Sequence, residues 1–184
     1  MRRLLLLALL VTASAHAQVS NTSYRLPSGE RVLRHEAVMD ASVSEVWKAF
    51  TTPEKMRGFI APVIGLELKI GGVWESSYRP DAKLGQPGNI HNEVLSFVPE
   101  KMLSIRIKEA PPQFPHVEIG KSVWTVLWFD DLGGGKTRVT VEMLPYREGG
   151  GWDVIYKIFE AGNGITLERA QKFFRTGPVD WTKK

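Results

Sequence analysis

The sequence predicts an α+β fold in which a curved antiparallel sheet of about seven strands packs around one long C-terminal helix. Between Gly65 and Leu144, short strand-like runs are separated by turn signals of hairpin length, which indicates antiparallel pairing. After residue 150, apolar residues instead recur every three or four positions, which predicts a helix. Because a sheet face and a helix face can only bury their apolar surfaces against each other, the sheet must curl around the helix.

A leader, one strand and two helices are predicted before the main run of strands. We expect residues 18–30 to form a loose leader and RVLRHEAVMD, at 31–40, to form the first strand. The segment ASVSEVWKAFTTPEKMRGF predicts a helix that begins at Ser42 or Ser44, a break at Pro53 and a short second helix to about Phe59. Ser42 followed by Glu45 is a capping-box pattern, which is typical of a helix N-terminus.

Six strand-like runs follow these helices. They are LELKI, VWESSY, NIHNEVLSFV, MLSIRI, SVWTVLWFDDL and KTRVTVEML. A long loop that contains Pro111, Pro112 and Pro115 interrupts the series. Together with the first strand, these runs give the predicted sheet of about seven strands.

The last helix is predicted from about Trp152 to Phe174. Gly162 and Gly164 lie in its middle, and each interior glycine costs roughly 0.5 to 1 kcal/mol relative to alanine. The alternative is a helix that ends near Gly162, with a second short helix that begins near Ile165.

The first 17 residues, MRRLLLLALLVTASAHA, have the three parts of a secretory signal peptide: a basic start, an apolar run and the small-x-small pattern AHA. The run is too short to span a bilayer as a stable helix. A buried N-terminal helix is the alternative interpretation. We predict cleavage after Ala17 and a secreted or periplasmic protein, with the folded domain at 31–176 and a short tail at 177–184.

Composition excludes several classes of protein. Of the 184 residues, 43% are hydrophobic and 24% are charged, which is typical of one globular domain with a proper core. Loss of Arg2 and Arg3 with the signal peptide lowers the formal charge from +4 to +2, and no Lys/Arg cluster remains. Nucleic acid is therefore not predicted as a partner. The chain has no cysteine, which excludes disulfides, thiolate chemistry and a lipid-anchored cysteine.

Several segments, taken in order, resemble the START-like (SRPBCC) superfamily, and within it the branch similar to activators of the heat-shock-90 ATPase. They are ASVSEVWKAFTTPEKMRGFIAP, ELKIGGVWE, NEVLSFVPEKMLSI, VWTVLWFDDLGGGKTRVTVEM and GGGWDVIYKIF. The resemblance covers about Arg31 to Phe174. It implies a helix-grip fold with a cavity between sheet and helix that commonly holds apolar small molecules. Members include lipid carriers, aromatic polyketide cyclases, hormone receptors and co-chaperone domains, so the resemblance leaves the function open.

The resemblance also implies which side chains face the cavity. Alternate residues of a strand share a face, and the implied set is mostly apolar with a few hydroxyl groups, which suits an apolar molecule that carries one or two polar groups. The implied cavity residues are Trp74, Ser76, Tyr78, Leu103, Ile105, Ile107, Thr125, Leu127, Phe129, Val139, Val141, Met143, Phe159 and Gly162. At each strand position, simple filling of a dry core is the alternative.

The implied fold gives a reason for the two glycines in the helix, because the helix passes over the cavity. We expect Gly162 and Gly164 to leave room for a ligand or to allow a kink.

The strand NIHNEVLSFV has two possible registers. A three-residue turn after it, which we favour, places on the inner face His91, Glu93, Leu95 and Phe97. A two-residue turn places there Asn92, Val94 and Ser96. In the favoured register, His91 and Glu93 are a candidate acid/base pair, with Tyr78 as a further polar cavity group. A solvated pair at the start of the strand is the alternative.

Trp124, Val126 and Trp128 occupy the opposite face of SVWTVLWF and would face solvent in a monomer. Apolar surface of this kind often marks a contact with a partner. Trp124 and Trp128 therefore mark a possible partner face, including a homodimer. Coverage by the N-terminal leader is the alternative.

The sequence lacks the patterns of several kinds of catalytic site. GGGKT resembles a phosphate-binding loop, but Asp130 stands where a glycine is required and the segment joins two strands. His35, His91 and His116 have no metal-ligand spacing, and neither a GxSxG elbow nor a dinucleotide fingerprint occurs. We predict no cofactor and no metal.

The leading hypothesis from the sequence is noncovalent binding of a small apolar or amphipathic molecule. One alternative is a cyclase- or dehydratase-like enzyme that uses polar groups of the cavity. The other is a protein-interaction module related to co-chaperone domains.

Overall fold

The computed structural model describes residues 18–183, so the predicted signal peptide lies outside the described residues. Nine strands form one antiparallel sheet: β1 (Ser20–Asn21), β2 (Tyr24–Arg25), β3 (Arg31–Met39), β4 (Val63–Leu66), β5 (Val73–Ser77), β6 (Ile90–Val98), β7 (Met102–Glu109), β8 (Trp124–Gly133) and β9 (Lys136–Tyr146). Their spatial order is β1-β3-β9-β8-β7-β6-β5-β4, and β2 also pairs with β3. The predicted α+β architecture, an antiparallel sheet packed on a long C-terminal helix, is confirmed.

The strand count exceeds the prediction because the leader is ordered. Strands β3 and β5 to β9 match six of the seven predicted strands, and β1 and β2 come from residues expected to be loose. The predicted run LELKI is wrong in position, because β4 ends at Leu66 and residues 67–72 form the turn that leads into β5. Ser20 pairs with Glu36, and Tyr24 pairs with Val32. The exposed edge of β3 presents unpaired backbone groups, and the leader satisfies some of them.

Four helices accompany the sheet: α1 (Val43–Thr51), α2 (Pro53–Met56), α3 (Val117–Ser122) and α4 (Gly150–Thr176). The capping box of α1 is present, since the Ser42 N–H donates to Glu45 Oε2 at 3.0 Å and the Glu45 N–H donates to Ser42 Oγ at 3.4 Å. Helix α3 forms within the proline-containing loop, where no helix was predicted. Helix α4 runs without interruption through Gly162 and Gly164, so the alternative of two separate helices is wrong.

Helix α4 is fixed to the sheet near both of its ends. Ile155 packs in a small apolar cluster with Leu33 and Tyr146. Leu167 and Ala170 pack in the larger cluster, which also contains residues of α1 and α2. The helix is therefore held at two places, and its middle spans the gap between the two clusters.

Residues beyond α4 pack back onto the segment that follows α2. The Val179 N–H donates to the Gly58 carbonyl oxygen at 2.8 Å, and Trp181 Nε1 donates to the Arg57 carbonyl oxygen at 2.7 Å. The guanidinium of Arg169 lies 4.9 Å from the centre of the Trp181 ring. These contacts fix the C-terminal end of α4 from outside the core.

Candidate functional site

A cavity of about 190 Å³ lies between the inner face of the sheet and the middle of α4. Strands β5 to β9 supply one wall, α4 supplies the other, and side chains near α1 and α3 close the ends. The lining residues are Phe50, Ile60, Trp74, Ser76, Tyr78, Ile90, Asn92, Ile105, Ile107, Ala110, Phe114, Val123, Thr125, Leu127, Val141, Met143, Phe159, Gly162, Asn163, Thr166 and Leu167.

Most of the residues implied for the cavity from the sequence do line it. They are Trp74, Ser76, Tyr78, Ile105, Ile107, Thr125, Leu127, Val141, Met143, Phe159 and Gly162. The strand members occupy alternate positions, as the two-residue period of a strand requires. Antiparallel pairing extends this face across the sheet, because Ile105 lies opposite Thr125 and Leu127 lies opposite Val141.

Leu103, Phe129 and Val139 do not line the cavity, although they share its sheet face. All three are buried in the larger apolar cluster. The ring of Phe129 makes edge contacts with Trp47 and Phe50 of α1, at centroid distances of 5.4 and 5.5 Å. Helix α1 therefore covers this end of the strands, where the side chains of Leu103, Phe129 and Val139 belong to the hydrophobic core.

Other lining residues were not predicted. Asn163 lies four residues after Phe159, Thr166 four after Gly162 and Leu167 four after Asn163 on α4, so the helical repeat could have indicated them. Phe114, in contrast, comes from an irregular loop whose position has no periodic signal.

Strand β6 changes face in its middle, so neither predicted register holds along its whole length. Phe97 pairs with Leu103 and packs on the core, as the favoured register requires. Val94 pairs with Ile105, however, and Ser96 pairs with Ser104, which leaves Leu95 as an extra residue. This β-bulge reverses the alternation. Asn92 and Val94 consequently point inward, and His91 and Glu93 point outward.

His91 and Glu93 therefore do not form an acid/base pair in the cavity. His91 Nδ1 lies 2.9 Å from Glu109 Oε2, and His91 Nε2 lies 3.5 Å from Glu75 Oε1, all on the outer face. Glu93 Oε2 lies 3.4 Å from Arg106 Nη2. His91 therefore lies between two carboxylates on the surface, and Glu93 forms a separate ion pair with Arg106.

Glu75 is the most enclosed of these carboxylates. Burial raises its pKa, but hydrogen bonds from Asn89, Gly85 and His91 outweigh burial and hold the pKa of Glu75 below its usual range. The Asn89 side-chain amide donates to Glu75 Oε1 at 2.6 Å, and the Gly85 N–H donates to the same oxygen at 2.7 Å. The carboxylate anchors the loop between β5 and β6 and is not available for chemistry in the cavity.

The cavity lining is almost free of ionisable groups. Of its described members, only Tyr78 can titrate, and Tyr78 is 58% exposed, so it lies at the opening. Although much of the side chain is exposed, the surrounding protein atoms partly desolvate the hydroxyl and raise the pKa of Tyr78, and the charge of Arg169 acts in the opposite direction. The interior therefore offers hydrogen bonds from neutral side chains and no charged partner.

Helix α4 leaves space where it crosses the cavity. Gly162 lines the cavity, and a Cβ atom added to Gly162 or Gly164 would meet no atom within 4 Å. Asn163 donates weakly to the sulfur of Met143 at 3.4 Å, and Thr166 donates to the Gly162 carbonyl oxygen at 2.8 Å. Short side chains thus face the sheet between the two anchored ends of the helix.

The outer face of β8 exposes Trp124 and Trp128, which are 43% and 40% accessible. Trp128 Nε1 donates to Glu142 Oε2 at 3.0 Å, and the Tyr24 hydroxyl lies 3.4 Å from the other oxygen of that carboxylate. The leader therefore reaches the border of this face through Tyr24, while much of both indole rings remains accessible.

Residues 18–183 contain neither a candidate metal site nor a candidate membrane span. No group of three or more His, Cys, Asp and Glu side chains is placed to hold a metal ion there. No helix in that range is long and apolar enough to cross a membrane.

The model of a family described as activator of Hsp90 ATPase homolog 1-like protein matches residues 40–174. A comparison with curated protein sequences gives no match.

Solved structures share the fold at low sequence identity. CalU16 from Micromonospora echinospora is 21% identical, with a TM-score of 0.59 over 88% of this chain and 86% of that protein. MLL2253 from Mesorhizobium loti is 17% identical, with a TM-score of 0.62 over 81% of this chain and 100% of that protein. The Aha1 dimer from Colwellia psychrerythraea is 14% identical, with a TM-score of 0.61 over 79% of this chain and 97% of that protein. These likenesses show the helix-grip fold.

Proposed function

The chain belongs to the activator of Hsp90 ATPase homolog 1-like family, within the START-like (SRPBCC) superfamily, and from this premise we propose that it binds one small apolar or amphipathic molecule noncovalently. The observation that carries the proposal is the cavity of about 190 Å³ beneath the glycines of α4. Protein cores are close-packed, and a cavity lowers stability because its walls lose packing contacts. A site for a ligand is a reason to keep such a space.

The lining supports binding more than catalysis. The two residues suggested as an acid/base pair, His91 and Glu93, lie on the outer face, where His91 contacts Glu109 and Glu93 pairs with Arg106. Tyr78 at the opening is the remaining candidate for proton transfer, and no second titratable side chain faces it from the lining. A cyclase or dehydratase mechanism therefore lacks its acid/base pair.

Native mass spectrometry of the mature chain, Gln18 to Lys184, tests the proposal. We expect an extra mass of a small molecule that survives gentle desolvation and disappears under denaturing conditions. The variant Gly162→Phe should lose this mass because the ring occupies space at the cavity, whereas the matched variant Gly164→Phe should keep it. An unliganded mass for the wild type after purification and after incubation with apolar probes would contradict the proposal.

Export before ligand binding is a second part of the proposal. It is supported by the basic, apolar and small-residue parts of the first 17 residues. N-terminal sequencing of the protein from a periplasmic extract should give Gln18 as the first residue. A full-length chain retained in the cytoplasm would contradict export.

Self-association through the outer face of β8 is a further candidate function, favoured by the exposure of Trp124 and Trp128. The Aha1 protein from Colwellia psychrerythraea is described as a dimer. Light scattering should show a concentration-dependent mass that Trp128→Glu abolishes. A monomer at all concentrations would exclude a homodimer.

A further inference from the structure

The sheet wall of the cavity contains an indole donor without an acceptor. Trp74 lines the cavity and is only 6% exposed, and its Nε1 atom is buried without a hydrogen-bond partner among the described residues. An indole N–H can only donate, and a buried donor that makes no hydrogen bond lowers stability. A ligand oxygen placed beside this nitrogen would remove that penalty.

A second polar group lies directly across the ladder from this indole. Asn92 on β6 is the register partner of Trp74 on β5, which brings their Cβ atoms to about 4.5 to 5.5 Å apart on the same face. Asn92 lines the cavity, and none of the hydrogen bonds within residues 18–183 uses its side chain. Its amide can both donate and accept. The two residues form a neutral polar pair on the sheet wall.

The surroundings of this pair are unsuited to a charged group. The described lining contains no Lys, Arg, Asp, Glu or His. The nearby cation, Arg169, stacks on the ring of Trp181 and is not part of the lining. A charge buried without a counter-charge is strongly disfavoured, so the polar end of a ligand at this wall must be uncharged.

The size of the cavity limits the ligand further. An apolar cavity of about 150 Å³ holds a benzene molecule. The present cavity measures about 190 Å³ and opens at Tyr78. One ring or two fused rings, with a small polar substituent, therefore fit the available space.

We infer that the ligand is an uncharged, ring-containing molecule with a ketone-, ester- or amide-type carbonyl, and that the indole N–H of Trp74 donates a hydrogen bond to this carbonyl oxygen beside Asn92. The inference rests on the proposed function of the cavity and specifies the chemistry of its occupant.

Three probes of matched shape test the inference. In 2-acetylnaphthalene a carbonyl oxygen can accept from Trp74, in 2-isopropenylnaphthalene a CH₂ group replaces that oxygen, and 2-naphthoate carries a negative charge. Each probe is titrated by calorimetry into the mature wild type, Trp74→Phe and the control Trp181→Phe. The indole ¹H–¹⁵N resonance of Trp74, assigned from its loss in Trp74→Phe, reports hydrogen bonding directly.

We expect the ketone and the alkene to bind and the naphthoate to bind most weakly. The preference for ketone over alkene should fall about tenfold in Trp74→Phe, as expected for the loss of one hydrogen bond to an otherwise unpaired donor. It should stay unchanged in Trp181→Phe. The Trp74 resonance should move downfield with the ketone and not with the alkene. If Trp74→Phe does not fold, the Trp74 resonance is assigned by triple-resonance spectra of the wild type, and its response to the ketone and the alkene decides the question.

The outcomes separate the inference from the function on which it rests. Binding of both neutral probes, with the same preference in wild type and Trp74→Phe, would overturn the carbonyl inference and leave the apolar cavity as a binding site. Tightest binding of naphthoate would overturn the requirement for an uncharged ligand. Failure of all three probes, including the alkene that requires only an apolar cavity, would contradict both.

Discussion

Gly58 lies directly against the ring of Phe173, because a Cβ atom at residue 58 would stand 2.5 Å from Cε2 of that ring. The same ring packs against Phe59 at a centroid distance of 5.4 Å. The C-terminal part of α4 therefore rests on the backbone that follows α2, and glycine is the residue that allows this approach.

Replacement of Gly58 by alanine should destabilise the fold. The added methyl group must displace the packed ring of Phe173, and overpacking of this kind costs typically about 1 to 3 kcal/mol. Chemical denaturation should show a lower midpoint with an unchanged slope. A midpoint equal to that of the wild type would mean that the ring of Phe173 can move aside freely.

Replacement of the helix glycines Gly162 and Gly164 by alanine should instead increase stability. Alanine at Gly162 or Gly164 meets no atom within 4 Å, so each change should stabilise α4 by about 0.5 to 1 kcal/mol. Only Gly162 lines the cavity. Gly162→Ala should therefore weaken binding of 2-acetylnaphthalene, measured by calorimetry, and Gly164→Ala should not. Equal affinities in both variants and the wild type would contradict a role of Gly162 in leaving space for a ligand.

Of two adjacent residues of β6, only Asn92, which lines the cavity, should affect binding of the ketone probe. His91→Ala removes contacts with Glu75 and Glu109 on the outer face, and His91 is not part of the cavity lining, so affinity for the ketone probe should be unchanged. Asn92→Leu alters the sheet wall and should reduce that affinity. Loss of binding or of any catalytic turnover in His91→Ala would contradict this prediction and indicate a functional role for His91.

His35 should make stability depend on pH. It is 5% exposed on the inner face of β3, and burial lowers its pKa below the ordinary value of 6.5, with Glu160 acting in the opposite direction. As the pH falls below 6.5, the unfolded chain therefore binds more protons at His35 than the folded chain does. The contribution of His35 to stability is then fully present above pH 6.5 and is lost as the pH decreases. Denaturation at about pH 7.5 and about pH 5.5 should show a larger loss in the wild type than in His35→Leu. Identical losses would exclude this contribution.

The residues of the site that could be predicted are those whose position depends on a regular pattern of neighbouring residues in the sequence. Alternation along a strand is a local property, and it places Trp74 with Ser76 and Thr125 with Leu127 on shared faces, which the family resemblance identifies as the inner ones. The bulge at Leu95 was not predicted. The sequence contains an indication of it, because the apolar residues Val94 and Phe97, which both face inward, are three residues apart, and a regular strand does not allow an odd spacing on one face. The favoured register assumes one regular strand without a bulge, and that assumption puts His91 and Glu93 on the wrong face.

By itself, the sequence determined the types and order of the main strands and helices, the capping box at Ser42 and which residues of a regular strand share a face. These depend on side-chain periodicity and capping, which act over a few residues. The order of several longer motifs indicated the family, and the family resemblance indicated which faces are inward. Only the tertiary structure decided that α1 covers Phe129, that the leader adds two strands to the edge of β3, and that α4 stays continuous through its glycines. Each of these outcomes depends on which distant surface is available to bury a side chain or to pair a backbone group, and that surface exists only after the chain has folded.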